Sequence, residues 1–386
     1  MARVPCGGTG GPAPRLASLQ GAAEVEAAAI DALRGTLLSW FDRERRPLAL
    51  RADRAPYRVL VAEVMSQQTR AETVAPYLAR FLQRFPTPLQ LAEASEQEVL
   101  FVWRGLGYYR RAVHLRQAAA EIVRRHGGAV PADPVALRAL PGVGPYVAGA
   151  VGSLAFGRDE PAVDANVARV LARLFDLRVA VDSPQGRREV DRLARLTLPP
   201  GRAGEWNEAL MDLGALVCVA RAPRCALCPV QAFCRGRRAG DPAALPVRRP
   251  PRAVAEVPVA SVLAWRGEHV AVRPRPPGGL LAGLWEFLTL EGADTASAVA
   301  SAYGLRLEDV RVLPPFRYAF THRVWRVHGF VARAAGAAAA PAPGALPGRT
   351  GASGLRWVTP EEAWGLPLAG PAVRLAAGAG LARAKI

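Results

Sequence analysis

The sequence predicts a two-domain protein in which an all-helical domain is followed by an α+β domain. The chain has 386 residues, which is enough to form two or three hydrophobic cores. Apolar residues recur at intervals of three and four as far as residue 240, and they alternate in short runs from residue 257 onwards. Five prolines and three arginines lie between residues 241 and 258. We interpret residues 241–256 as a stiff, basic, Pro-rich linker between the domains.

The helical domain is expected to cover residues 28–240. It follows a tail over residues 1–27, which we expect to be flexible because its first part is rich in Gly, Pro and Ala. Short clusters of Gly, Pro and Asp separate the helical segments, as a helical domain requires. The spacing of apolar residues predicts helices over 30–41, 59–82, 112–123, 146–156, 167–174 and 206–217.

The second domain, residues 257–386, combines strands with helices. A helix is expected over 295–303, and the Ala-, Pro- and Gly-rich insert 334–348 is expected to be a disordered loop. These features together predict an α+β fold. Alternating apolar residues predict strands over 257–265, 269–272, 311–314 and 324–332.

The chain is strongly basic. It contains 50 Lys and Arg against 33 Asp and Glu, which gives a formal net charge of +17 and a pI of about 10.9. Because each neutralised phosphate releases condensed counterions, this charge favours a polyanionic partner. A mean hydropathy of +0.09 excludes a wholly disordered chain, and no apolar run approaches the ~18–20 residues of a membrane span. We expect a soluble, cytoplasmic protein that binds nucleic acid.

Four of the five cysteines form one loop, residues 218–234. Cys218, Cys225, Cys228 and Cys234 have the spacing C-x6-C-x2-C-x5-C, whereas Cys6 stands alone. Thiols inside cells are usually reduced, so four clustered thiolates indicate a tetrahedral metal ion or a [4Fe–4S] cluster rather than disulfides. Zinc sites more often contain two C-x2-C pairs. The presence of one such pair favours a [4Fe–4S] cluster over zinc.

A Leu-Pro-Gly-Val-Gly turn at residues 140–144 lies between two predicted helices. Its glycines, Gly142 and Gly144, permit positive φ and let a phosphate approach the backbone closely. The helix that opens at Pro145 offers N–H groups and the positive end of its dipole. Such a helix–hairpin–helix binds the DNA backbone without reading the bases.

These features and three further motifs resemble the MutY family of adenine DNA glycosylases, within the endonuclease III-like helix–hairpin–helix superfamily. The likeness covers residues 28–386, and the C-terminal domain resembles a Nudix fold. It implies a base-excision repair enzyme with one [4Fe–4S] cluster, which removes adenine mispaired with 8-oxoguanine, or with guanine, in double-stranded DNA. The further motifs, which occur in family order, are EVMSQQT at 63–69, GLGYY at 105–109 and VDANV at 163–167.

Glu63 and Asp164 carry the chemistry of this interpretation. Glu63 lies in a mostly apolar helical segment, where desolvation favours a protonated carboxyl that could donate its proton to a leaving base. The resemblance assigns that proton to N7 of adenine. Asp164 is expected to remain ionised beside an oxocarbenium-like sugar; from the residues alone an N-cap is the alternative role, and the two roles are compatible. Asn166 is expected to support this region.

Tyr146 distinguishes two branches of the superfamily. In the endonuclease III branch, the position after the hairpin carries a lysine that attacks the sugar as a Schiff-base nucleophile. Here that position is a tyrosine, which resembles the tyrosine lining the family's site, and Lys385 is the only lysine in the chain. The sequence therefore predicts a monofunctional hydrolase without lysine-based lyase activity.

The resemblance also assigns residues that contact DNA. Gln67, expected on the same helical face as the catalytic glutamate, matches the wedge that fills the space left by the flipped adenine. Tyr108 matches the tyrosine that intercalates beside 8-oxoguanine, and Tyr109 is expected in the core. Arg51 and Glu208 match positions that contact adenine, with a surface position or an ion pair as the alternatives.

Two places depart from the family pattern. Leu50 lies where the family commonly has a pocket Trp, and Ala49 replaces the preceding Pro, so the packing of adenine is expected to differ. Phe320, Thr321 and His322 stand where the family usually has Phe-Ser-His, the loop that detects 8-oxoguanine. Thr321 keeps the hydroxyl and adds a methyl group, so we expect recognition with an altered fit.

Three other interpretations stay open. A Nudix pyrophosphatase would need clustered carboxylates for Mg²⁺, which residues 295–305 do not supply. A non-enzymatic iron–sulfur DNA-binding protein would share the charge, the hairpin and the cysteines, and only Glu63 and Asp164 argue against it. An endonuclease III-like pyrimidine glycosylase is disfavoured by Tyr146 and by the additional domain. We expect a monomer that acts near the bacterial nucleoid.

Overall fold

The computed structural model describes residues 15–250, 254–335 and 354–381, with side chains from residue 27 onwards. Across these ranges a helical region precedes a sheet with accompanying helices, which confirms the predicted fold class. The helices are α1 Arg15–Glu44, α2 Pro56–Ser66, α3 Ala71–Arg84, α4 Pro88–Glu93, α5 Glu96–Trp103, α6 Arg110–His126, α7 Pro134–Ala139, α8 Pro145–Phe156, α9 Ala165–Leu174, α10 Pro184–Thr197, α11 Ala203–Leu216, α12 Arg235–Arg238, α13 Ala296–Tyr303, α14 Pro360–Gly365 and α15 Gly370–Gly378. The strands are β1 Ala255–Arg266, β2 His269–Pro274, β3 Trp285–Glu286, β4 Leu288–Glu291, β5 Arg306–Val312, β6 Phe316–Ala319, β7 Arg323–Ala335 and β8 Arg356–Val358.

The described residues form two compact units. The first comprises residues 15–59, 132–134 and 144–249, and the second comprises residues 60–131, 135–143 and the described residues after 249. The chain passes between them within α2 and around α7, so these units do not follow the expected boundary near residue 240. Periodicity reports which face of a helix is buried, but it does not report which neighbour covers that face.

The core of the first unit forms around α9 and α11, which pack against each other and against α1, α8 and α10. Apolar residues on one face of each helix supply this core, and Leu37, Leu171 and Trp206 are fully buried in it. Side-chain caps define where two of the helices begin. Asp164 caps α9 and Ser183 caps α10, each by accepting a hydrogen bond from a backbone N–H of the first turn.

In the second unit, α4 and α5 pack on α6, and α3 packs on α5. Three aromatic rings fill the space between these helices. The ring of Phe81 lies 5.0 Å from that of Phe85 and 5.8 Å from that of Trp103, both with edge-to-face geometry. Such aromatic pairs add to the stability that their burial provides.

The sheet of the second unit has the main strand order β3-β2-β1-β7-β5. Strands β1 and β7 run parallel, and β1 also pairs antiparallel with β2 and β4. Six consecutive residues of β1, from 259 to 264, are buried, because both faces of the sheet are covered. One face packs on Val299 of α13, and on the other face Val259, Trp325 and Val327 form a cluster against which Leu280 and Leu281 pack.

The predicted helix over 59–82 is wrong, because the structure breaks it into α2 and α3. α2 ends at Ser66, and Gln68 has a left-handed φ of 58°. The carbonyls at the end of α2 are bound by a buried arginine that is distant in sequence, as described below. Apolar spacing alone cannot reveal such a break.

The N-terminal boundary also differs from the prediction. α1 begins at Arg15, so the backbone of residues 15–27 is helical instead of a flexible tail. This segment is rich in Ala, Leu, Gln and Glu, whose helix propensities are high. Residues 1–14 lie outside the described residues. So does most of the insert predicted as a disordered loop, while its first two residues belong to β7.

The first half of the predicted linker is held against the first unit. The backbone N–H of Val181 donates to Val247 O at 3.0 Å, and the N–H of Arg249 donates to Asp182 Oδ1 at 3.0 Å. Strands β3, β4, β6 and β8 were not predicted because they are short. Within the described ranges, no helix combines the length and the apolar character that crossing a bilayer requires.

Candidate functional site

Asp164 begins α9, and two donors hold its carboxylate. Oδ1 accepts a hydrogen bond from the Val167 backbone N–H at 2.7 Å, and Oδ2 accepts one from the Asn166 side-chain amide at 2.8 Å. Burial raises the pKa of Asp164, whereas these hydrogen bonds and the charge of Arg169 oppose that rise. The N-cap role is therefore present, and the expected ionised form depends on donors in the first turn of α9.

A chain of hydrogen bonds connects Asp164 with the four-cysteine loop. Asn166 Oδ1 accepts from Arg169 Nη2 at 2.8 Å, and Arg169 Nε donates to Cys218 O at 2.8 Å. Arg173, one turn further along α9 and only 1% exposed, donates to the Cys218 carbonyl at 3.2 Å and to Cys218 Sγ at 3.3 Å. The position of the first cysteine is thus coupled to the position of the carboxylate.

The four cysteines of the loop line one recess, which has an empty volume of about 310 Å³ and is open to solvent. All four are free thiols. Burial raises the pKa of Cys228 to about 12, and the other three cysteines contribute to this rise. The donor set matches a [4Fe–4S] cluster or zinc in number and chemistry. However, no group of three or more His, Cys, Asp or Glu within the described residues is placed to hold a metal ion.

Arg51 and Glu208 lie together in a buried ion-pair network. Arg51 Nε is 3.0 Å from Glu208 Oε1, and the Arg51 guanidinium donates to the two Asp212 carboxylate oxygens at 2.8 and 2.9 Å. Arg54 donates to both oxygens of Glu208, and Arg46 Nε donates to Asp212 Oδ1 at 2.7 Å. Both carboxylates are buried, so three arginines compensate for two desolvated charges.

These ion pairs outweigh the effect of burial on ionisation. Burial alone would raise the pKa of Asp212, but hydrogen bonds from Arg51 and Arg46 lower it below its usual value. Burial alone would lower the pKa of Arg51, but Asp212 and Glu208 raise it above its usual value. One alternative that the sequence left open for Arg51 and Glu208, an ion pair, is therefore present.

The helix–hairpin–helix turn uses its two glycines differently. Gly142, in the second unit, has a φ of 75°, and a Cβ there would lie 2.7 Å from His114 Cβ. Gly144, in the first unit, is the N-cap of α8 with a φ of −86°, so the expected positive φ is found only at Gly142. Because Gly144 has no side chain that could cap α8, it leaves the first turn accessible to a phosphate. Tyr146 is the second residue of α8 and is half-buried.

Glu63 lies on α2 in the second unit. Its side chain is half-buried, and its neighbours Ala62 and Val64 are buried. α2 ends at Ser66, so Gln67 follows the helix instead of extending it. That Gln67 shares a face with Glu63 stays a prediction, and the carbonyl of Gln67 is bound by an arginine of α6.

Arg111 connects the segments that carry Gln67 and Tyr108. It is 8% exposed, and its Nη1 donates to Met65 O at 2.6 Å and also to Gln67 O. Its Nη2 donates to Gly107 O at 3.0 Å, and its guanidinium carbon lies 5.3 Å from the centre of the Tyr108 ring. The two predicted DNA-contacting residues are thus held by one side chain.

The two tyrosines of the GLGYY motif have different environments. Tyr108 is 48% exposed and has a left-handed φ of 48°. Tyr109 is half-buried, and its hydroxyl accepts a hydrogen bond from the Gly105 N–H at 3.2 Å. Burial raises the pKa of Tyr109. An exposed Tyr108 is available for stacking, whereas Tyr109 supports the turn from inside.

In the C-terminal domain, Phe320, Thr321 and His322 form the turn between β6 and β7. The ring of Phe320 packs edge-to-face on Trp325 with the ring centres 5.0 Å apart, and its N–H donates to Arg323 O at 2.8 Å. Thr321 and His322 are exposed. An aromatic anchor therefore supports a turn that presents a hydroxyl and an imidazole to solvent.

Arginines bind the carboxylates near this sheet. Glu286, which is 3% exposed, pairs with Arg273 at 3.0 Å and with Arg275 at 2.6 Å. Glu291 pairs with Arg275 at 2.9 Å and with Arg323 at 3.0 Å. These contacts use carboxylate oxygens that a Mg²⁺ ion would require as ligands.

Sequence reasoning missed the residues that connect the predicted site residues. For those that lie in helices, the signal is a charged side chain at a position where the helical periodicity requires an apolar one, whereas Arg46 and Arg54 lie between helices and give no such signal. Arg111, for example, shares the buried face of α6 with Leu115, Ala118 and Ile122. The missed residues are Arg46, Arg54, Arg111, Arg169, Arg173 and Asp212.

Comparisons with known proteins place these residues in a wider context. Residues 61–195 match the family described as HhH-GPD superfamily base excision DNA repair protein, and residues 259–377 match the NUDIX domain family. The adenine DNA glycosylase of Homo sapiens is 34% identical over 87% of this chain and 72% of its own length. That of Mycobacterium tuberculosis is 44% identical over 56% of this chain and 70% of its own length.

A solved structure is also similar. A structure of a thermostable thymine-DNA glycosylase aligns with a TM-score of 0.51 and 28% sequence identity, and the alignment covers 55% of this chain and 98% of that chain. The mouse adenine DNA glycosylase is 37% identical to this chain, which covers 63% of its length. The similarity to the curated relatives therefore extends beyond the helical region alone.

We expect Asp212→Asn to lower the free energy of unfolding by about 3–5 kcal/mol at pH 7, because it removes the buried carboxylate that Arg46 and Arg51 share and leaves Arg51 paired with Glu208 alone. The pKa of Asp212 is lowered by folding, so its stabilising effect is present above its unfolded pKa and is lost as the pH falls through its folded pKa. Urea unfolding should show a constant difference between variant and wild type above about pH 5 and a shrinking difference below pH 4. A difference that persisted unchanged at the lowest pH would contradict this assignment.

Proposed function

Because the chain belongs to the adenine DNA glycosylase family, we propose that it hydrolyses the N-glycosidic bond of adenine opposite 8-oxoguanine, or opposite guanine, in duplex DNA. The single observation that carries the mechanism is the Asp164 carboxylate, held by the Val167 N–H and the Asn166 amide. We also propose a monomer that acts at the nucleoid in the bacterial cytoplasm, in keeping with its net charge of +17.

Asp164 would stabilise the positive charge that develops on the sugar as the bond to adenine breaks. An anionic group preorganised near a developing cation lowers the barrier because it needs no reorganisation during the reaction. Its two hydrogen-bond donors keep the carboxylate in one orientation and favour its charged form. Asn166 is therefore a positioning residue that acts through Asp164.

Glu63 would act as the general acid. This assignment is supported by the half-buried position of Glu63 on α2, within the motif at 63–69 that resembles the family's, and a carboxyl within reach of the leaving base can act as a general acid. Glu63 donates its proton to N7 of adenine, and the bond between C1′ and N9 breaks with its electron pair leaving on adenine. Water then adds to C1′ and gives up a proton, which returns Glu63 to its protonated form. Asp164 stabilises the cationic sugar between these steps.

Strand cleavage by a lysine nucleophile has no support in this chain. Tyr146 occupies the position after the hairpin, and Lys385 is the only lysine. Tyr146 would line the site beside the sugar. The product would be an abasic site, which breaks in alkali and remains intact without it.

Contacts with the DNA would come from both units. Arg51 and Glu208 support an adenine contact, with the side chain of Glu208 fixed by Arg51 and Arg54. Gln67 would fill the space left by the extruded adenine, and Tyr108 would stack beside 8-oxoguanine. The other DNA contacts that we propose are phosphate binding at Gly142 and Gly144 and 8-oxoguanine recognition by Phe320, Thr321 and His322.

We propose that Cys218, Cys225, Cys228 and Cys234 hold a [4Fe–4S] cluster. Four free thiols around one recess support this assignment. When bound, such a cluster supplies a cross-link that fixes the loop. Arg173 donates a hydrogen bond to Cys218 Sγ, and this bond would stabilise the thiolate form of that ligand.

Single-turnover reactions with a duplex that contains adenine opposite 8-oxoguanine test the function. We expect strand scission only after alkali treatment, and Glu63→Gln should reduce the rate by about 10²–10⁴-fold because it removes the donated proton. Glu93→Gln, at an exposed carboxylate on α4, is the matched control and should retain the wild-type rate.

The other outcomes of this assay separate the competing functions. Scission without alkali would show a lyase and would overturn the argument from Tyr146. Excision of oxidised pyrimidines in place of adenine would establish an endonuclease III-like glycosylase. Tight binding of the duplex with no excision by the wild type would indicate a DNA-binding protein without enzymatic activity.

Two substitutions at Asp164 distinguish its structural role as the N-cap of α9 from the proposed catalytic role of its negative charge. Asn retains a side-chain oxygen for the cap, whereas Ala removes it, so Asp164→Ala should lose about 1 kcal/mol of stability that Asp164→Asn keeps. Both should reduce excision by about 10²–10³-fold because both remove the charge. Folding raises the pKa of Asp164, so the wild type loses stability relative to Asp164→Asn as the pH rises through that pKa. Retained excision in Asp164→Asn would show that only the cap matters.

Metal analysis tests the cluster. The purified protein should contain about four iron and four sulfide per chain and absorb visible light. Cys228→Ser should lose most of this iron, and Cys6→Ser should keep it because Cys6 lies outside the loop. One zinc per chain without visible absorption would instead establish a zinc site.

A further inference from the structure

The backbones of both proposed DNA-contacting segments of the second unit include a non-glycine residue in the left-handed region. Gln68, next to Gln67, has a φ of 58°, and Tyr108 has a φ of 48°. This conformation is unfavourable for residues with a Cβ, and it persists only where surrounding contacts enforce it. Two such residues in two segments indicate a contact that holds both.

Arg111 is that contact. From α6 it donates hydrogen bonds to the end of α2 and the following loop, and it also donates to the turn that precedes Tyr108. The end of α2 supplies Val64 O at 3.3 Å and Met65 O at 2.6 Å, and the following loop supplies the Gln67 carbonyl and Thr69 Oγ1 at 3.2 Å. The turn supplies Gly107 O at 3.0 Å and Leu106 O at 3.4 Å.

The planar guanidinium also lies against two aromatic rings. Its carbon is 5.4 Å from the centre of the Trp103 ring and 5.3 Å from the centre of the Tyr108 ring. Trp103 Nε1 donates to Gly107 O at 3.0 Å, so this carbonyl accepts from both Trp103 and Arg111. The guanidinium of Arg111 therefore contacts the exposed Tyr108 ring from the protein side and helps to fix its position.

We propose that Arg111 is a positioning residue that holds Gln67 and Tyr108 at a fixed separation, and thereby sets how strongly the enzyme distinguishes 8-oxoguanine from guanine opposite adenine. This inference rests on the proposed function. The wedge and the stacking ring act on the same stretch of opened duplex. A change in their separation alters the fit to the opposite base more than it alters the chemistry at adenine.

Only arginine suits this position. Its guanidinium has five N–H donors in a rigid plane, so it can reach carbonyls on two segments at once. Lysine at the same place would keep the positive charge, but its compact ammonium cannot span both segments. Arg111→Lys therefore retains the positive charge but removes hydrogen bonds that fix the separation of Gln67 and Tyr108.

The test compares single-turnover rates on two duplexes, with adenine opposite 8-oxoguanine and adenine opposite guanine, at a temperature where each variant is fully folded. For Arg111→Lys we expect the ratio of the two rates to fall by about tenfold or more, which corresponds to losing the specific fit at the opposite base. Arg116→Lys is the matched control. Arg116 also lies on α6 and donates to a single carbonyl, that of Ala94, so its replacement should preserve the ratio.

Thr69→Val provides a second variant if Arg111→Lys does not fold. It keeps the shape of the side chain and removes one acceptor of Arg111, so we expect a smaller fall in the ratio. A ratio unchanged from wild type in the folded variants, with both rates reduced equally, would show a merely structural role and overturn the proposal. Absence of adenine excision in the wild type would instead refute the proposed function.

Discussion

Hydrogen bonds from buried arginine side chains to backbone carbonyls hold the functional segments of this protein in place. A guanidinium is charged, planar and rich in donors, so one buried side chain can satisfy carbonyls that lie far apart in sequence. Arg111 does this in the second unit between the end of α2 and the turn at Tyr108. Arg169 and Arg173 do it in the first unit, where both bind the carbonyl of Cys218.

These arginine hydrogen bonds explain how loops can hold the candidate site residues in fixed positions. Residues such as Gln67 and Cys218 lie outside regular elements, where the backbone lacks the regular bonding pattern of a helix or sheet. Arginines on neighbouring helices replace that pattern with charge-assisted hydrogen bonds, which are stronger than neutral ones. Arg173 also donates to Leu245 O at 2.9 Å, so it fixes the predicted linker as well as the cysteine loop.

Where arginines pair with carboxylates instead of carbonyls, they compensate for the negative charge of a buried side chain. Arg46, Arg51 and Arg54 keep Glu208 and Asp212 in fixed, buried positions, and Arg273 and Arg275 do the same for Glu286. Asp164 differs, because its donors are an amide and a backbone N–H. Burial raises the pKa of Asp164, and these donors oppose the rise and favour the charged form that the proposed chemistry requires.

The sequence alone determined the fold class, the family and most of the chemical groups, because periodicity and motif spacing are local properties of the chain. The helical region followed by an α+β region, the cysteine loop and the cap at Asp164 follow from such local patterns. Only the tertiary structure decided that α2 ends before Gln67, that Gly144 is extended, and that arginines link the site residues. The contacts at the end of α2 involve partners more than 40 positions away, as between Arg111 and Gln67, and so do those of Arg169 and Arg173 with Cys218. Hydrogen bonds over such separations leave no periodic trace in a sequence, apart from an arginine on a face that should be apolar.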